Sequence, residues 1–370
     1  MANVSITNKN TISTLSLPNA SVPLGGSLKM TGFSNIRIIK DMNSNAIRDV
    51  EGYPFPLLTN FEMINASYAT IGNAKLAGNK YIGSLPSSLV SFKVHSNDTT
   101  ISGSIDTTFP NSLKHFVLIG NSNTVTGSVP TTLSANVDTV QIRGNGNAFS
   151  GSGFLPTTIP SGVFNYIVAN EGGNMGTHTS ALPTNLNSNS NLLNRFNAIG
   201  CKLTGDLPTS IGSAMTQFKI GGRSNDGQYH NGLTGSQAFP SFSACTGLKN
   251  LTMTNLKSST TSRISSCAST VFANCAFSTD ANINLGYNAF STFVMNDVLV
   301  ALNAASAIGS GRVINLQGNR PPWGMTATKT KTQITAGQST GNTSLDGLIT
   351  KDWSITYNTT GNQAIYNWPS

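Results

Sequence analysis

The feature that most constrains this chain is a run of near-copies separated by only a few residues. Residues 116–133 read FVLIGNSNTVTGSVPTTL, and five other segments share the plan: 75–89, 92–109, 140–159, 166–186 and 196–211. Each opens on an apolar alternation, passes through Gly or Asn, and closes on a tetrad: P-S-S-L, D-T-T-F, P-T-T-L, P-T-T-I, P-T-N-L and P-T-S-I. The tetrads begin at Pro86, Asp106, Pro130, Pro156, Pro183 and Pro208. A seventh copy at 218–242 carries a longer insert and brings Pro240.

The physics of one copy is legible. Val117 and Ile119, or Val140 and Ile142, suit a short strand with alternate side chains inward. Gly or Asn follows where the chain must turn. The residue before each Pro is pushed into an extended conformation, and Pro itself cannot donate to a ladder, so it marks a turn. One copy cannot bury its own apolar face; stacked copies can, because each covers the next. The expected fold class is therefore mainly β with short helices: a solenoid of about a dozen irregular turns of 20–30 residues each.

This pattern resembles the leucine-rich repeat, with its strand, its Asn and its L-x-G-x-(I/L)-P-x-x-(L/I) ending. The ending is similar to that of plant receptor and plant inhibitor repeats, and the match is clearest over 75–217. The resemblance implies stacked asparagines near Asn97, Asn121, Asn145 and Asn170, while Gly221 or Gly222 stands where the seventh copy would carry one. Segments 28–42, 57–71, 248–259 and 281–291 read as more degenerate turns.

Three parts are expected: an N-terminal cap or attachment arm over 1–27, the leucine-rich-repeat-like solenoid over 28–291, and a C-terminal capping unit over 292–370. In the last, residues 292–308 place Val294, Val298, Ala301, Leu302 and Ala305 on one helical face. Ser291 or Thr292 can start that helix and Gly309 can end it. A strand at Val313–Leu316 and an alternating strand over 348–358 follow. The order of this helix, VINLQGN and KDWSITYN is similar to the closing unit of leucine-rich-repeat-like proteins from Bacteroidetes bacteria and their phages; the insert at 335–344 departs from it.

Composition narrows the function. Only 10% of the 370 residues are charged, against about a quarter in ordinary domains. The surface is accordingly built from hydroxyls and amides. The net charge is +8, but basic residues such as Arg143, Arg195 and Arg223 are scattered singly, and the pair Lys329 and Lys331 has no interleaved aromatics. No nucleic-acid partner is expected. No run approaches the length of a membrane span, and the N-terminus lacks a basic segment followed by an apolar run, so neither membrane insertion nor a secretory signal is expected.

Chemistry is sparse. The four cysteines, Cys201, Cys245, Cys267 and Cys275, show no C-x-x-C spacing. A Cys267–Cys275 disulfide stays open, and buried thiols in a reducing compartment are the preferred reading. His95, His115, His178 and His230 form no metal pair. Asp98, Asp106, Asp138 and Asp206 fall in different phases of the repeat, so paired carboxylates for glycoside hydrolysis are not expected. No catalytic residue, cofactor or metal is assigned.

Binding is assigned to the places where the repeat breaks. The insert at 223–232 offers Arg223, Tyr229 and His230, planar and hydrogen-bonding groups suited to a sugar or protein. Trp323, after a double Pro, is the other candidate. A charge-poor solenoid without an export signal, together with the resemblance, implies a non-enzymatic bacteriophage virion protein: a head or tail fibre, decoration or receptor-binding protein. It would assemble in the host cytoplasm, with other virion proteins and a host-surface glycan or protein as partners. Whether it forms a homo-oligomer stays open. The alternatives are a bacterial cell-surface adhesin of the same repeat type and a phage polysaccharide depolymerase.

Overall fold

The computed structural model describes residues 9–16, 25–40, 46–51, 53–65, 75–76, 85–96, 100–105, 108–120, 124–127, 129–144, 155–170, 179–188, 192–222, 232–233, 235–258, 261–277, 279–307, 310–319 and 331–356. The chain folds as two compact units. The first comprises 1–156 and 162–178, the second 157–161 and 179–370.

In the first unit seven parallel strands lie side by side in chain order: β1 (Thr14–Ser16), β2 (Ile38–Lys40), β3 (Asn60–Asn65), β4 (Ser91–Ser96), β5 (His115–Gly120), β6 (Thr139–Gly144) and β7 (Asn165–Asn170). The second unit repeats the arrangement with six: β8 (Arg195–Ile199), β9 (Gln217–Gly221), β10 (Asn250–Thr254), β11 (Asn282–Asn284), β12 (Arg312–Asn315) and β13 (Trp353–Thr356). One strand per turn, each paired in parallel with the next turn's strand, is the leucine-rich-repeat-like solenoid that the repeat requires. Paired residues lie 22 apart at Ile38↔Asn60 and 33 apart at Gln217↔Asn250, so the longest of these turns slightly exceeds the expected length. The closing turn, Val313↔Ser354, is longer because two helices occupy it.

The alternation of each strand builds the core. In the first unit Ile39, Phe61, Phe92, Phe116, Val140 and Tyr166 stand in register and are fully buried. Phe61, Phe92 and Phe116 stack with centroids 5.2 and 5.6 Å apart at interplanar angles of 11° and 17°. Val94, Leu118, Ile142 and Val168 form a second buried column two residues on. In the second unit the column is Phe196, Phe218, Leu251, Ile283, Ile314 and Ile355. Strands that bury one face this completely have only one register that keeps apolar side chains inside.

Four-residue turns enter these strands, and they correct the alignment of the tetrads. The N–H of Leu89 donates to the carbonyl of Pro86, and that of Leu113 to Pro110. Phe92 pairs with Phe116, so Pro86 is equivalent to Pro110, not to Asp106. Two adjacent Pro-like positions per turn, as in L-P-T-T-I-P, made the copies look in phase when one was offset.

Side chains in these turns staple one turn to the one before. Ser88 Oγ donates to the carbonyls of Pro56 and Leu58 (2.9 and 2.8 Å), and Ser112 Oγ to those of Ser87 and Leu89 (2.8 and 2.7 Å). Asn136 Nδ2 donates to the Asn111 carbonyl at 2.8 Å. Backbone carbonyls left by the turn need donors, and short hydroxyl or amide side chains reach them where Lys or Arg would overshoot. This accounts for part of the shortage of charge.

In the second unit, α1 (Thr292–Ala304) starts at Ser291, whose Oγ accepts from the Val294 N–H at 3.3 Å. Val294, Val298, Ala301 and Leu302 are buried as expected, and so is Ala305. The helix ends at Ala304, short of 308, because Ser306–Ala307 pairs in parallel with Ala276–Phe277. Gly309 lies outside the described residues. Of the strand expected over 348–358, β13 is the described part and 357–358 lie outside the described residues; residues 348–350 instead finish a helix, α3 (Thr343–Thr350), preceded by the short α2 (Lys331–Thr335). Asn342 caps α3, its Oδ1 accepting from Leu345.

Candidate functional site

The residues that alternate with the core point away from it, and the register aligns them in rows. Successive strands lie about 4.8 Å apart, so a row presents one side chain per such step. In the first unit one row runs Asn60, Ser91, His115, Thr139 and Asn165, and another Glu62, Lys93, Val117, Gln141 and Ile167. Polar groups on this face pair locally. Lys93 Nζ is 3.4 Å from Glu62 Oε1, and His115 Nδ1 is 3.0 Å from Asp138 Oδ1. Ser91 stands beside His115, but it is buried and its Oγ is turned to Glu62 Oε1, 3.5 Å away. The strand N–H groups that could stabilise an oxyanion are engaged in the ladder, so this trio is not arranged for acyl transfer.

The second unit is less charged still. One row runs Arg195, Gln217, Asn250, Asn282, Val313 and Ser354; the other Asn197, Lys219, Thr252, Asn284, Asn315 and Thr356. In this second row Asn197 is the most enclosed, and the other five are half-buried. Asparagine is a poor strand residue, and its recurrence here has a local cause. Asn197 Oδ1 accepts from the Ile199 N–H (3.0 Å), Asn284 Oδ1 from Gly286 (3.2 Å), and Asn315 Oδ1 from Gln317 (3.0 Å). Each is an Asx turn that ends its strand. In each the oxygen is held by its own backbone, while Nδ2 has no partner among the described residues. The row therefore carries amide donors of fixed orientation, interspersed with the Lys219 ammonium and the hydroxyls of Thr252 and Thr356.

Beneath this face sit two buried asparagines. Asn288 Nδ2 donates to the carbonyls of Met253 and Leu285, and its Oδ1 accepts from the Leu256 N–H at 2.8 Å. Asn319 Nδ2 donates to Leu285 and Leu316 (2.9 Å each), and its Oδ1 accepts from the N–H groups of Asn288 and Phe290 (3.1 Å each). These hold the strand exits on which the outward row depends. The repeated strings INLGYN (283–288) and INLQGN (314–319) carry both the outward and the buried Asn of each turn; that repetition was the signal for residues that the Pro-based alignment passed over. Of the stacked asparagines expected from the resemblance, Asn97, Asn121 and Asn145 lie outside the described residues, as does the side chain of Asn170.

Gly221 has its own reason to be glycine. Its φ is +106°, and a Cβ there would come within 1.9 Å of the Thr254 carbonyl oxygen. The ends of β9 and β10 approach closely at this point, with Thr254 Oγ1 donating to the Gly222 carbonyl at 2.6 Å.

The residues expected to bind, Arg223, Tyr229, His230 and Trp323, all lie outside the described residues. The four cysteines are free and buried. Burial raises all four thiols, Cys245, Cys267 and Cys275 to about 12, which disfavours the nucleophilic thiolate at neutral pH. Among the described residues no group of three or more His, Cys, Asp or Glu is placed to hold a metal ion, and no helix is long and apolar enough to cross a membrane.

No protein-family model matches the chain, and no curated protein matches it in sequence. Among solved structures it is similar to the leucine-rich-repeat ectodomain of the plant membrane receptor kinase GASSHO1/SCHENGEN3 from Arabidopsis thaliana, in complex with CASPARIAN STRIP INTEGRITY FACTOR 2. The identity is 13% and the TM-score 0.42, over 84% of this chain and 39% of that one. It is also similar to the plant peptide hormone receptor RGFR1 in complex with RGF2, at 15% identity and TM-score 0.38, over 84% and 56%. For the complex PEPR1-AtPEP1 the values are 14% and 0.32, over 84% and 52%. The chain spans 39 to 56% of the length of these structures' chains.

Proposed function

We propose that this protein is a non-enzymatic binding scaffold, and that the outward strand rows of its second unit take a polar, largely uncharged ligand such as a host-surface glycan. The observation that carries this is the row Asn197, Lys219, Thr252, Asn284, Asn315 and Thr356. Three of its amides have their oxygens held in Asx turns and their Nδ2 groups unengaged among the described residues. Donors fixed before binding cost little entropy on association. A row with one formal charge discriminates against strongly ionic partners, because their desolvation would not be repaid. A protein surface rich in backbone carbonyls is the second ligand of the same chemistry.

The finer reading places the scaffold on a bacteriophage virion as a fibre, decoration or receptor-binding protein. It is supported by the charge-poor, hydroxyl- and amide-rich composition and by the likeness of the closing unit to Bacteroidetes and phage proteins. Immunogold labelling of purified particles tests it: label on heads or tails supports it, and label confined to the cell envelope favours the cell-surface adhesin. Incubation with host capsule tests the depolymerase alternative, which requires new reducing ends.

For the binding itself, the test is retention of the full chain on immobilised neutral cell-surface polysaccharide. The rows predict retention that survives about 0.5 M salt, since screening at that ionic strength removes exposed charge attraction. Retention abolished by salt would point to the scattered basic residues instead.

A further inference from the structure

The turn between β12 and β13 holds a buried cation that forms no ion pair among the described residues. Arg312, the first residue of β12, pairs in register with Trp353 of β13. Its side chain is only 2% exposed, although arginine is almost never buried unless paired. The guanidinium carbon lies 5.3 Å from the Trp353 ring centroid, and Nη2 donates to the Lys351 carbonyl. Its Nε and Nη1, and Trp353 Nε1, are buried without a hydrogen-bond partner among the described residues. Trp353 is itself fixed, edge-on to Phe277 at 5.3 Å.

The neighbouring carboxylate does not answer this charge. Asp352 is committed to Lys331, 2.5 Å away on the surface, and no carboxylate forms an ion pair with Arg312 among the described residues. Burial works to lower the arginine's pKa, and the charge of Asp352 partly offsets this. Arginine nevertheless stays charged in proteins. Stacking on the indole face recovers part of the lost solvation but uses none of the N–H groups.

We propose that Arg312 and Trp353 form a binding site for one small monovalent anion, a halide or a carboxylate, inside the closing turn. The donor inventory favours an anion over water. Guanidinium and indole N–H groups donate only, so a water accepting from them would still have to place its own two protons. It would also leave the buried charge uncompensated. Water is the competing occupant. The site is distinct from the row of Asn197, Asn284 and Asn315, and its role is to tie β12 to β13.

The test uses the full chain at constant ionic strength, with a bulky sulfonate, MES, replaced stepwise by chloride or by formate. A ligand that binds only the folded state raises the unfolding midpoint by mass action. The expected result is a saturable upward shift with chloride, formate or both, and its loss in Arg312→Met. The two arms separate halide from carboxylate. Trp353→Phe, which keeps the ring and removes the N–H, should weaken the shift. If Arg312→Met does not fold, crystals soaked in bromide decide: anomalous density in contact with the Arg312 guanidinium supports the site. No anion-specific shift in the parent, an equal shift in Arg312→Met, or no bromide at Arg312 overturns it.

Discussion

The side-chain oxygen of Asn319 accepts a hydrogen bond from the backbone N–H of Asn288, 3.1 Å away and one solenoid turn earlier. Asn288 in turn reaches back to Met253 and Leu256 of the turn before it. Two buried side-chain amides thereby satisfy the backbone of three consecutive turns.

Replacing Asn288 by Ala would orphan the Met253 carbonyl and the Leu256 N–H. A buried group left unsatisfied costs about 1–3 kcal/mol, so we expect a loss of at least about 2 kcal/mol, read as a lower denaturant midpoint. Asn288→Asp would keep the acceptor, lose the donor and bury a charge, and should be no better than Ala.

The phenylalanine column makes a prediction of a different size. Phe92 is fully buried between Phe61 and Phe116. Phe92→Ala should cost about 3–5 kcal/mol and Phe92→Leu much less, because the first opens a cavity and the second refills most of it. Equal effects in urea unfolding would argue against a close-packed column.

Gly221 and Gly235 both have positive φ, at +106° and +60°. Only Gly221 is crowded; a Cβ on Gly235 would meet nothing within 4 Å. Gly235→Ala should cost about 1 kcal/mol of backbone strain, and Gly221→Ala clearly more, since β9 and β10 must separate. Thermal midpoints of the two variants give the comparison.

The thiols carry a pH dependence. Their pKa values in the unfolded chain are about 8.5, and burial raises Cys245, Cys267 and Cys275 to about 12 in the folded one. Above about 8.5 the unfolded chain therefore holds fewer protons, and stability falls as pH rises toward 12. Cys245→Ala should flatten that decline, followed as midpoint against pH. The native protein should not react with a thiol reagent at neutral pH until denaturant is added.

Much of this fold could be read from the residues, because the repeat has a simple physical basis. Val140 and Ile142 alternate inward as any half-buried strand requires, and the Ser291 cap and buried face of α1 follow from helical spacing. What could not be read was phase. Pro86 and Pro130 look alike but occupy different positions in their turns, and only the pairing of Phe92 with Phe116 separates them. The candidate site was missed for a related reason. Loops that interrupt a repeat draw attention to Arg223 and Tyr229, whereas Asn197, Asn284 and Asn315 sit inside the repeat, where an asparagine reads as a turn residue. The buried Arg312 has no local signature at all, since its burial comes from the packing of β13 beside it.

The binding claim is tested most directly by a glycan array of neutral capsular and outer-membrane oligosaccharides, probed with the full chain and with Thr252→Trp. Thr252 lies mid-row between Lys219 and Asn284, and a bulky side chain there blocks the row without touching the core. A matched control is Ser269→Trp, at an exposed turn position outside the outward rows. The account predicts that the parent and the Ser269 variant bind the same neutral glycans, and that Thr252→Trp loses them at an unchanged melting temperature. Glycan binding that persists undiminished in Thr252→Trp would contradict it.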